Sequence, residues 1–64
     1  MTARTKVILK DVDPDEFGLA IRAARWLLRE PDSQRDAILA YGDGNAQRHF
    51  YVCRNKSSIT VRPC

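Results

Sequence analysis

The sequence predicts a single α+β domain over residues 1–64, with one helix packed on an antiparallel sheet in the order β-α-β-β-β. Three observations lead there. The stretch DVDPDEF has the residue choices of a helix start. The segments around the following helix alternate apolar and polar with the period of a strand. GDGN and NKS then supply the turns that fold three such segments into a meander.

Each element has its own reason. TKVILK alternates well enough for a strand over about residues 5 to 10. In DVDPDEF, Asp13 is read as N-cap, which puts Pro14 at the first helical position, where its missing N–H is no loss. Glu16 then completes a capping-box spacing, and Val12 and Phe17 hold the hydrophobic-staple positions. The helix runs from Pro14 to near Glu30, because Pro31 restricts the residue before it. AILAY, GDGN and AQRHFYVCR follow as strand, turn and strand, and NKS leads into a last strand in SSITVRP.

One segment has a second reading. SQRDAILAYG also suits a short helix, with Ser33 and Asp36 as a capping box and Gly42 as its stop. That would make a helix-turn-helix with a hairpin, a DNA-binding layout. The strand is preferred because Ile38 and Tyr41 adjoin a turn-rich GDGN that suits a hairpin.

Helical periodicity assigns Phe17, Ala20, Ile21, Ala24, Leu27 and Leu28 to the core face. Arg22, Arg25 and Arg29 fall on an adjoining stripe, with Leu19 and Trp26 on its far side. On the sheet, Val7, Leu9, Phe50, Val52, Ile59 and Val61 point to the helix. Lys6, Ile8, Lys10, His49, Tyr51, Cys53, Thr60 and Arg62 then share the other face.

Composition narrows the function. A chain of about 60 residues buries only about 60% of its unfolded surface, which leaves little room for a deep pocket. At 44% hydrophobic and 30% charged the chain is globular in composition. A surface that binds something larger is therefore a better expectation than a catalytic cleft. The net charge is +3, and its distribution is uneven. Acids gather at Asp11, Asp13, Asp15 and Glu16, none follows Asp43, and Arg48, Arg54, Lys56 and Arg62 come after it. Such a basic surface attracts nucleic acid or an acidic protein. Arg4, Lys6, Lys10 and Asp11 interrupt any secretory apolar region, and AILAY falls well short of the roughly 20 residues that span a bilayer. A cytoplasmic protein without a membrane partner is expected.

The candidate chemistries fail on spacing. In RHFYVCRNK, His49 and Cys53 share a strand face but stand about 13 Å apart, too far for a nucleophile and its base. One histidine and two cysteines without short paired spacings do not make a structural zinc site. Cys64 falls opposite about residue 48, well away from Cys53, so a disulfide between them is not expected. Asp11, Asp13 and Asp15 match the first ligands of a calcium loop, but Glu16 and Arg22 stand where glycine and glutamate belong. GDGN lacks the GK[ST] of a phosphate loop. No enzyme, metal or cofactor is expected, although two copies of His49 in a homodimer would be one way to build a composite site.

What remains is a binding module. Arginine and tryptophan are favoured at binding hot spots, which singles out Arg22, Arg25, Trp26 and Arg29 on the helix. Arg48, Tyr51, Arg54, Lys56 and Arg62 add a basic hairpin. In size, charge and β-α-β-β-β layout the chain resembles small phage-encoded inhibitors of the anti-CRISPR type. The resemblance covers the whole length but carries no residue roles with it. It implies an inhibitor or adaptor that occupies the nucleic-acid-binding surface of a defence complex. The partner would then be an acidic protein or nucleoprotein surface. The alternative is direct DNA or RNA binding, through the basic sheet face or a helix-turn-helix. Homodimerisation is credible for so small a core.

Overall fold

A computed structural model describes residues 5–42 and 44–64. The elements are β1 (Lys6–Leu9), α1 (Phe17–Arg29), β2 (Asp36–Tyr41), β3 (Arg48–Arg54) and β4 (Ser58–Pro63). The fold is α+β, with the expected β-α-β-β-β order, and residues 36–41 form a strand rather than a second helix. That excludes the helix-turn-helix. The GDGN turn has Gly42 and Gly44 at positive φ and a short 3-10 turn over Gly44–Ala46, while Asp43 lies outside the described residues. Gly42 is required there: at φ +102°, an added Cβ would stand 2.6 Å from the carbonyl oxygen of Ala46.

The sheet differs from expectation in one respect: it is mixed, not antiparallel. Strand order is β1-β4-β3-β2, with β2–β3 and β3–β4 antiparallel but β1–β4 parallel, Val7 opposite Ile59 and Leu9 opposite Val61. The reason lies in the connections. The helix carries the chain back, so β2 starts in the same direction as β1. Two hairpins later β4 again runs that way. β3 has both sides taken, so β1 can join only at the outer edge of β2 or of β4; it joins β4, and at either edge the pairing would be parallel.

The core lies between α1 and one sheet face. Ala20, Ala23, Ala24 and Leu27 from the helix meet Phe50, Val52, Ile59 and Val61 from the two central strands, all eight buried. Val7, Leu9, Ala37 and Leu39 extend it towards the edges. The strand residues are those the alternation predicts. The helix is turned by about 50° from the expected face at about 100° per residue. Phe17 and Leu28 are 45% and 41% exposed, and Ala23, outside the expected face, is fully buried. Small side chains are what allow this. Three alanines let the helix settle closely on the sheet, and no such approach is possible through Phe17 and Leu28.

The helix start is also built differently. Pro14–Glu16 is a 3-10 turn closed by the Glu16 N–H donating to the Asp13 carbonyl at 2.8 Å, and the α-helix proper begins at Phe17. The Asp13 side chain makes no capping bond. The Glu16 carboxylate reaches across to β3 and pairs with Arg48 at 2.8 Å. That charge-assisted contact replaces the capping box. Val12 packs on the core, but exposed Phe17 does not complete a staple.

The helix end is held by Arg54. Its guanidinium donates from Nη2 to the carbonyls of Leu27 at 2.6 Å and Glu30 at 3.3 Å, and from Nε to that of Gln34 at 3.2 Å. The Leu27 carbonyl also accepts the Glu30 N–H at 3.1 Å, so the half-buried fork adds a second donor there and ties the helix end to the Glu30 and Gln34 carbonyls of the turn after it. Its contact with Asp32, at 3.9 Å to a fully exposed carboxylate, adds little.

Arg54→Ala is expected to cost about 2–3 kcal/mol, because it removes three charge-assisted hydrogen bonds that join the helix end to the turn after it. Arg54→Lys should recover less than half of that loss, since an ammonium cannot span three acceptors as a planar fork does. Arg48→Ala should cost only about 0.5 kcal/mol, its side chain being 65% exposed. Urea unfolding of the three variants, followed by circular dichroism, checks the ranking.

Candidate partner-binding surface

The helix brings four of the sequence-derived residues together. Arg22, Arg25 and Arg29 are exposed and fall within about 60° of one another at helical spacing. Trp26 closes one side of the stripe, its body packed against the core. A fifth residue joins them from β2. Tyr41 stacks under Arg22, whose guanidinium carbon lies 5.9 Å from the ring centroid. Its own ring meets Phe50 at 6.3 Å and a 54° tilt. The five line a shallow concavity of about 320 Å³. Among the described residues no carboxylate pairs with these arginines.

This is a rigid base under three cations. Trp26 and Tyr41 pack against the core, Arg22 stands over the Tyr41 ring, and Arg25 and Arg29 line the same concavity. Tyr41 was not among the sequence candidates. Strand alternation puts it on the helix side with Ala37 and Leu39. That it lies under Arg22 depends on which sheet edge β2 occupies, and only the crossover decides that.

The other candidates are elsewhere. Arg48 and Arg54 lie on the helix-facing side of β3 with Phe50 and Val52, and both are engaged with α1. Arg54 therefore leaves the candidate surface. Lys56 is exposed in the turn between β3 and β4, beside Arg35 and the Arg54 backbone rather than the helix stripe. Tyr51 and Arg62 are opposite one another on the far face of the sheet, Arg62 covering the Tyr51 ring at 5.3 Å.

That far face carries an acid as well as cations. The Tyr51 hydroxyl donates to Asp36 Oδ2 at 3.1 Å, and Ile38 beside it is 64% exposed. Cys53, on the same face, and then Asp36 hold the Tyr51 phenol protonated, its pKa pushed up to about 12. Both cysteines are free, and the Cys64 N–H donates to the His49 carbonyl at 3.0 Å. Among the described residues no three of histidine, cysteine, aspartate and glutamate cluster to hold a metal ion. No helix among them is long and apolar enough to cross a membrane.

No family model, curated protein or solved structure matches the chain.

The Tyr51 network has a pH signature. A phenol whose pKa is raised binds its proton more tightly folded than unfolded. Its stabilisation is complete below the ordinary tyrosine value, near pH 10, and is lost as pH rises through about 12. In a Tyr41→Phe background, absorbance titration should place Tyr51 near 12. Removing both Cys53 and Asp36, as Cys53→Ala with Asp36→Asn, should bring it back towards 10. A midpoint unchanged by the double substitution would assign the shift to another cause.

Proposed function

We propose that the chain is a non-catalytic binding module, a small inhibitor or adaptor that lays Arg22, Arg25, Trp26 and Arg29 on an acidic surface. The observation that carries this reading is the concavity of those residues with Tyr41: three arginines and two aromatic rings line it, Arg22 lies over the Tyr41 ring, and no acid from the described residues pairs with the three. Arginine and tryptophan in a supported setting are favoured hot-spot residues. Guanidinium forks suit carboxylates and phosphates alike. The target class that fits is a protein or nucleoprotein that handles nucleic acid, whose phosphate-mimicking or phosphate-bearing surface the stripe would cover. The resemblance to phage-encoded inhibitors of the anti-CRISPR type agrees with that target class. Pairing of two copies is compatible with it, provided the stripe stays open.

Direct nucleic-acid binding through the sheet has less support. A stacking platform needs an open aromatic face, and Arg62 covers Tyr51 while Asp36 puts a negative charge beside it.

The test is Trp26 fluorescence during titration with single- and double-stranded oligonucleotides at low and then physiological salt. The expected result is weak quenching that vanishes by physiological salt, as for unspecific phosphate contacts. A partner then isolated with the wild-type chain should bind Arg25→Ala and Trp26→Ala at least about 30-fold more weakly, the loss typical of a hot spot. Oligonucleotide binding that survives physiological salt would overturn the reading in favour of direct nucleic-acid binding. Partner binding indifferent to both substitutions would remove the helix stripe as its site.

A further inference from the structure

β2 closes the sheet at one side, and among the described residues no strand lies against its outer edge. The register shows which backbone groups that edge presents. Arg35, one step beyond the Asp36–Cys53 pair, accepts the Arg54 N–H at 2.7 Å, so its backbone faces β3. Backbone groups alternate sides along a strand. Ala37, Leu39 and Tyr41 therefore also face β3, while Asp36, Ile38 and Ala40 face outwards. The Asp36 carbonyl is met there by the Gln34 side chain, which donates to it at 2.6 Å. Among the described residues, no turn, loop or side-chain hydrogen bond reaches the N–H and C=O groups of Ile38 and Ala40.

The two edges of the sheet are guarded differently. β1 is four residues long and has exposed Lys6 in it and exposed Lys10 just past its end. Short length and lysines discourage a further strand. β2 is six residues long, holds neither lysine nor proline, and reads AILA through its middle, with Ile38 64% exposed. The surfaces above and below this edge also differ. Glu16, before the start of α1, pairs with Arg48, which lies opposite Tyr41, and Arg54 holds the helix end near the start of β2. The arginine stripe thus runs alongside β2 on its helix side, and Arg22 reaches the strand itself over Tyr41. On the far side the edge offers Ile38.

We infer that the partner's contact segment is an extended chain that adds a strand at β2, with acidic side chains towards the arginines and apolar ones towards Ile38. The inference rests on the reading of the stripe as the partner-binding surface, and deepens it. An extended chain brings the N–H and C=O groups that Ile38 and Ala40 lack, and its alternation sends successive side chains to opposite faces. Carboxylates at every second residue stand about 6.6 Å apart, close to the rises of about 4.5 and 6 Å between successive arginines. A second copy of β2 fits less well. Antiparallel pairing of two such edges puts both helices on one face, so that arginine stripe approaches arginine stripe.

The probe is a blocked heptapeptide alternating glutamate with valine, titrated at physiological salt into the 64-residue chain under reducing conditions. At saturation, exchange of the Ile38 and Ala40 amides with water, followed by NMR, should slow at least about 10-fold, as for groups entering a ladder. Trp26 fluorescence should change over the same concentrations. The lysine–valine counterpart should leave both signals unchanged. Methylating the valine nitrogens blocks antiparallel addition and methylating the glutamate nitrogens blocks parallel addition, so one methylated peptide should lose binding and the other keep it. Binding that both methylated peptides retain overturns the inference. So does binding that depends on Arg25 and Trp26 yet leaves the Ile38 and Ala40 amides exchanging as before, an outcome under which the stripe itself still stands. Protection of those amides that ignores Arg25→Ala and Trp26→Ala removes the stripe, and the acidic segment with it. No binding up to about 1 mM, or protection that grows with protein concentration alone, overturns the acidic segment as occupant, the latter in favour of a second copy.

Discussion

The helix-facing row of β3 is what the rest of the structure depends on. Arg48, Phe50, Val52 and Arg54 alternate out to one side of the strand. The two outer residues hold the two ends of α1 while the two inner ones fill the core beneath it. The strand is thus a template as long as the helix. Arg54 matters more than Arg48, because it joins three backbone carbonyls, those of Leu27, Glu30 and Gln34, and because its side chain is only 14% exposed. Hydrophobic burial alone would let a smooth, alanine-faced helix slide or rotate on the sheet. Polar contacts at both ends fix its phase, and with it which residues face water.

Much of this was legible in sequence. Strand alternation identifies the buried residues of the central strands, and Pro14 and Pro31 bracket the helix within a turn. The parity that puts Phe50 and Val52 inward puts Arg48 and Arg54 inward with them. A reading guided by charge alone, which groups every late arginine into one basic surface, passes over that parity. The phase of the helix was less legible for a physical reason. With an apolar arc of about 220°, periodicity allows several faces, and the choice among them falls to side-chain size. Ala20, Ala23 and Ala24 win because a flat sheet rewards close approach over individual bulk. The parallel pairing of β1 was implicit in the count of chain reversals and not in any local pattern.

Rotation of the helix has a functional side. Had Phe17 and Leu28 gone into the core, Trp26 would lie further from β2 and the arginine stripe would stand over no aromatic support. The observed phase brings Trp26 to the core margin and Arg22 over Tyr41. Tyr41 in turn rests on Phe50, so the base of the concavity is continuous with the most deeply packed side chains. A guanidinium supported in this way has less rotamer freedom to lose on binding than one at the end of an unsupported stem.

The same phase explains why the stripe is narrow. Arg25, Gly18, Arg29 and Arg22 make up the whole polar arc of the helix, bounded by Trp26 and Leu19 on one flank and by Phe17, Ile21 and Leu28 on the other. Three like charges held together, with no acid among the described residues to offset them, raise the free energy of the isolated surface slightly. They lower it again when anions arrive. Apolar flanks strengthen that response, because a partner that covers them also excludes water from the arginines between, and electrostatic attraction grows as the local dielectric falls. A basic lane with apolar walls therefore suits a partner that is acidic along a ridge and apolar beside it. A uniformly charged polymer would meet the arginines but leave the walls in water.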